Sequence, residues 1–264
     1  MTPRTTTNRL PLYFTMVAMA IVYPAVTVSS VLASESTPRI FLRRNFSINH
    51  RDHLIAKLRK ITGLVQLRFE SDGSLSTGSE FGQGSQIART LLANALNGPD
   101  VIVFEDASSR SDVVFCRVVP GRQILSDGSK IDTHVVLIDF TDFERVVGDK
   151  QARESFDVGW GVLHELDHVV GDTVDGSVED HLGECEKHIN EMRDELGLPL
   201  RADYFYRQTP LKTNPNFRTN FVSLSFEQRD ATTGKLKTFL LTWDSSMVGG
   251  LIGNAATASL NTGN

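Results

Sequence analysis

Apolar side chains fall at helical spacing in some stretches of this chain and in short β-rich runs in others. Leu54, Ile55, Leu58 and Ile61 mark one face of a helix over residues 50–62, which Gly63 ends. Residues 64–70 alternate as a strand, and Ser71-Asp72-Gly73 turns the chain. The polar, glycine-rich residues 74–85 predict an exposed loop. Ile87, Leu91, Leu92 and Leu96 mark a second helix, closed by Gly98-Pro99. Runs at 101–104, 112–119 and 135–140 predict strands, with turns at Pro120-Gly121 and Asp127-Gly128.

The next stretch is helical. Thr141 with Glu144 reads as a capping box on a short helix that Gly148 closes. A longer helix is expected over 150–170, with a break near Gly159 and Gly161 and a stop at Gly171. Its apolar stripe is Phe156, Trp160, Leu163, Leu166 and Val170. Ser177 and Asp180 suggest the start of another helix, striped by Val178, Leu182, Cys185, Ile189, Met192 and Leu196 and stopped by Gly197 and Pro199. Residues 221–228 and 236–243 predict a hairpin around Ala231–Gly234, and the small, polar residues 249–264 a flexible tail. Strands and helices mix without a βαβ rhythm. The expected class is α+β: a mixed or antiparallel sheet on helices, with a C-terminal β-hairpin, in one domain over 34–248.

The N-terminus departs from this pattern. Residues 1–33 carry Arg4 and Arg9, no acidic residue, then an apolar run over 10–28, and end in Val31-Leu32-Ala33. This is the layout of a signal peptide cleaved after Ala33, which predicts a secreted or periplasmic protein that meets the membrane only transiently. An uncleaved anchor is the alternative, but the run is barely long enough to span and Pro24 interrupts it. In an oxidising compartment Cys116 and Cys185 could pair, or each could be a small buried apolar residue.

The chain's net charge is −5, and loss of the two leader arginines leaves −7. No basic stripe is visible, which argues against a nucleic-acid partner. The histidines change the picture more. Four of seven, His164, His168, His181 and His188, fall within 25 residues. Residues 164–168 read His-Glu-Leu-Asp-His on a predicted amphipathic helix. Residues four apart on a helix share a side, so both imidazoles can reach one ion, while Glu165 points about 100° round the axis. A chance match to this pattern arises on the order of once in a hundred such chains, and it need not fall on an amphipathic helix.

This segment resembles the active-site helix of zincin-type zinc metallopeptidases, possessing their HExxH motif. The resemblance covers this helix; residues 183–201 are more weakly similar to the second helix of bacterial HExxH proteins. It implies Zn2+ held by His164 and His168, Glu165 as general base, and a peptide or protein substrate laid along a sheet edge that residues 100–140 would supply. The spacing leaves the third ligand open. Gly171 matches the metzincin glycine, but Val174 stands where a ligand is required and Asp175 comes one residue late. In the glutamate-type pattern Glu184 fits best, ahead of Asp175, with His181, His188, Glu186 and Asp172 behind. Asp167 is expected to be exposed or to orient a neighbour. Tyr204 and Tyr206 could pack, or donate a hydrogen bond to a developing oxyanion.

The expected function is therefore an exported zinc metallopeptidase. A non-catalytic protein stabilised by a four-ligand metal, and a secreted effector peptidase with one target, are the alternatives.

Overall fold

The computed structural model describes residues 38–108, 110–124 and 128–249, which belong to one compact unit. The leader over 1–33 and the tail beyond Gly249 lie outside the described residues. The chain runs β1 (Ile40–Leu42), α1 (Ile48–Thr62), β2 (Arg68–Phe69), β3 (Leu75–Ser76), α2 (Gln86–Asn97), β4 (Ile102–Asp106), β5 (Cys116–Ile124) and β6 (Lys130–Ile138). It continues through α3 (Phe140–Glu144), β7 (Val147–Gly148), α4 (Lys150–Glu154), α5 (Val158–Gly171), α6 (Gly183–Glu195), β8 (Leu200–Arg201), β9 (Arg207–Leu211), β10 (Asn214–Arg229) and β11 (Leu236–Asp244). The class is α+β.

The first sheet has the order β1-β4-β6-β5; β1 and β6 run parallel to β4, and β5 lies antiparallel to β6 at the edge. Alternation divides its faces. Ile40, Ile102, Phe104, Val136 and Ile138 join a core with Leu54 and Leu58 of α1, Leu91 and Leu92 of α2, Trp160, Leu163 and Leu166 of α5, and Ile189 and Met192 of α6. Val103, Val135 and Leu137 pack on the other face with Ala107 and Val113. The second sheet is antiparallel in the order β7-β11-β10-β8, with β9 also on β10, and its core is Val222, Leu224, Phe226, Leu241 and Trp243. Among the described residues no helix is long and apolar enough to cross a membrane.

Several expectations shift. Pro120-Gly121 is not a turn but the middle of β5, opposite His134 and Thr133. The N–H of Val118 points away from β6 to Glu165, whereas the carbonyl of Phe115 accepts from Asp139 on the β6 side. Pro120 shares the outward set with Val118, so its missing N–H costs no ladder bond. Asp139, not Thr141, caps α3 by accepting from Asp142 N–H. The helix expected over 150–170, with a break near Gly159 and Gly161, is two helices, but the break comes earlier. The break falls at Ser155–Asp157, because the Asp157 carboxylate accepts from the N–H groups of Gly159 and Trp160 and starts α5 afresh.

Candidate metal centre

Helix α5 is buried along Val158, Trp160, Val162, Leu163 and Leu166, and this fixes its roll. His164 and His168 then face one side together. The helix sits close on β5: a Cβ on Gly161 would lie 2.9 Å from the Cys116 sulfur and 2.8 Å from Phe143, so only glycine fits that crossing. The helix ends at Asp172, in the left-handed conformation at φ 50°. That turn redirects the chain, and Asp175 arrives beside the two imidazoles.

The result is a triangle of donor atoms. His164 Nε2 lies 3.0 Å from Asp175 Oδ1 and 3.2 Å from His168 Nε2, and His168 Nε2 lies 3.3 Å from Asp175 Oδ1. A tetrahedral ion at 2.0–2.1 Å from its donors holds them about 3.3 Å apart. These three atoms therefore have the spacing of one ion's ligands. The Cys185 sulfur also lies by the two histidines, with a donor atom of each of the three within 4.8 Å of the others. The thiol, however, is 3.3 Å from His164 Nδ1, the nitrogen on the far side of the ring from the triangle. We take Asp175, not Cys185, as the third member.

Comparison with family models, with curated proteins and with solved structures finds no match for this chain. What the centre can do must be read from its own residues.

The back nitrogens of both rings are occupied. His168 Nδ1 meets the carbonyl of Thr173 at 2.8 Å, and a carbonyl only accepts, so Nδ1 carries a proton and, in the neutral ring, Nε2 is the nitrogen with the lone pair. His164 Nδ1 faces a carboxylate oxygen of Glu186 at 3.5 Å. Glu186 is buried between the guanidinium groups of Arg193 and Arg201. Burial opposes its charge, but the two arginines outweigh it and hold its carboxyl well below the usual range. Burial likewise opposes the charge on Asp175, and its bonds to His164 and His168 win, again lowering its carboxyl. The ring of Tyr204 stacks on His164 with centroids 6.1 Å apart, and its hydroxyl is near enough to the same carboxylate to help lower it.

Glu165 is 7% exposed and points to the edge strand, where its Oε2 accepts from Val118 N–H at 2.9 Å. Burial holds its carboxyl above the ordinary range against the pull of His164 and His168. A cavity of about 540 Å³ opens beside these groups, between α5, the start of β5 and the second sheet. Phe115, Phe143, Phe156, Trp160, Tyr206 and Trp243 form an aromatic wall to it.

The structure thus brings His164, Glu165 and His168 together as the motif suggests and does not bring Glu184 to them. Glu184 is exposed in the first turn of α6 and does not line the cavity. The reason is where α6 begins. Residues 178–182 bend without forming helix, with the Ser177 hydroxyl accepting from the N–H groups of Glu179 and Asp180. The expected stripe loses Val178, which is 81% exposed. Gly183, at φ 71°, bridges backbone to backbone with Asp175 and would clash through any Cβ. His181 lies near Asp203, and His188 bonds to Asp167. Asp172 makes the turn. Cys116 and Cys185 are both free thiols. Arg193 and Arg201 carry no motif that could have flagged them.

Proposed function

We propose that this chain is an exported zinc-dependent metallopeptidase with a zincin-like arrangement of helix and edge strand. The single observation that carries this reading is the triangle of His164, His168 and Asp175 with Glu165 one residue along the same helix. Two imidazole nitrogens and one carboxylate oxygen suit zinc, and three protein donors is the count of catalytic rather than structural sites. What zinc supplies when bound is Lewis acidity, which acidifies water and polarises a carbonyl.

The chain's residues do the rest. Glu165, anchored by Val118 N–H and with its carboxyl raised by burial, takes a proton from the attacking water and returns it to the leaving amine. The Tyr204 hydroxyl, turning its one proton from Asp175 toward the substrate, donates to the oxyanion that develops on the carbonyl. The start of β5 and the aromatic wall offer a cleft for a substrate with a large apolar side chain. Export rests on the leader sequence.

The test uses the chain from Ser34 onward, loaded with zinc and given casein. Glu165→Gln keeps about one zinc per chain and loses cleavage by at least about a hundredfold. Equal cleavage by wild type and variant rejects the mechanism. Retained zinc without any cleavage by wild type favours the metal-stabilised binding protein.

A further inference from the structure

We propose that Asp167 is a positioning residue of this centre, acting through Thr173 on His168 and on the loop that carries Asp175. The proposal rests on the metal reading above. Asp167 sits between the two histidines in sequence but faces away from them. It is 1% exposed, and a carboxylate that deep requires partners for both oxygens. Its Oδ2 accepts from the Thr173 hydroxyl at 2.9 Å, and its Oδ1 meets His188 Nδ1 at 2.6 Å. The carbonyl of the same Thr173 receives His168 Nδ1 at 2.8 Å. The chain of contacts therefore runs from α6 through α5 to the loop and back to a ligand ring.

Two donors depend on it. Thr173 O fixes which nitrogen of His168 carries the proton, and so which one faces the triangle. Thr173 also follows the left-handed Asp172 and precedes Asp175 by two residues, so anchoring its side chain anchors the origin of that turn. The fit is close: a Cβ on Gly171 would lie 3.1 Å from Thr173 Cγ2 and 3.7 Å from Asp167 Oδ1. Asp167, Thr173 and His188 do not line the cavity beside Glu165, so they act through the ligands and not on the substrate. Partners of this kind hold a ligand ring in orientation, and their loss typically weakens metal affinity by about 10- to 100-fold.

The experiment measures zinc affinity by competition with a chromophoric chelator for wild type, Thr173→Val, Thr173→Ser, Asp167→Asn and the double variant Asp167→Asn/Thr173→Val. Unfolding of each metal-free protein is followed in parallel. The expected result is a loss of about 10- to 100-fold for Thr173→Val and for Asp167→Asn, with Thr173→Ser within about threefold of wild type. The double variant binds no more weakly than the weaker single one, because both break the same link. Losses that multiply in the double variant overturn the proposal. So do variants that melt earlier without metal yet bind zinc as wild type does. If Asp167→Asn does not fold, the Val and Ser variants at Thr173 decide alone. A wild type with no measurable zinc affinity rejects the metal reading and the relay with it, whereas a zinc-binding wild type with unaffected variants rejects the relay only.

Discussion

Asp175 and Glu184 stand nine residues apart, and only the first reaches the imidazoles. Asp175→Asn should therefore abolish stoichiometric zinc binding, while Glu184→Gln leaves it unchanged; metal analysis after dialysis reads both. The histidines were legible because a four-residue spacing on a helix fixes their common side whatever the tertiary context. Asp175 was legible only as the runner-up to Glu184, because its place depends on one left-handed residue, Asp172, which absorbs the extra residue relative to the familiar spacing. A second carboxylate gives a pH signature away from the centre. Asp142 is 1% exposed at its side chain, and burial pushes its carboxyl up to about 6 although Phe115 N–H donates to it. The folded chain then keeps a proton that the unfolded chain loses near 3.8. Stability contributed at this site falls as pH rises from about 4 to about 6 and stays lowered above, by at most about 3 kcal/mol. Relative to Asp142→Asn, wild type should lose stability across that window and run parallel above it, as read by urea unfolding at a series of pH values.

At the scale of elements, the helices with a full apolar stripe were readable to within a few residues. α1 and α2 begin at serine caps, and Gly63 and Gly98 follow them. The reading failed where a side chain outcompeted the stripe. Asp157 restarts α5, and Ser177 bends the chain so that α6 starts only at Gly183. β9, and the first part of β10, went unpredicted because none of their residues is fully buried and their exposure shows no alternation. The late start of α6 is testable. Val178→Ser should change stability by less than about 0.5 kcal/mol. Ile189→Ala, in the stripe that is truly buried, should cost about 2–5 kcal/mol in the same denaturant measurement.

For the whole molecule, the centre lies where the helical core and the second sheet come together, and one residue joins the walls. Phe115 packs on Phe143, Phe156 and Trp243 at centroid distances of 5.0–5.2 Å, from a left-handed backbone at φ 58°. Such a conformation costs a non-glycine residue about 1–3 kcal/mol, held here by hydrogen bonds at both N–H and carbonyl. No pattern in the sequence announces it. Metal should couple to global stability, because the triangle ties α5 to the loop before α6. Zinc at about a hundred times its dissociation constant adds about 2.7 kcal/mol, or roughly 5–10 °C in melting temperature. Scanning fluorimetry with and without EDTA should show that gap in wild type and none in Asp175→Asn. The edge strand beside the site carries a further meaning. An open strand edge invites other copies of the chain to join it. Along β5 the outward donors are interrupted at Pro120 and the N–H of Val118 is taken by Glu165, so a neighbouring chain cannot complete a continuous ladder there.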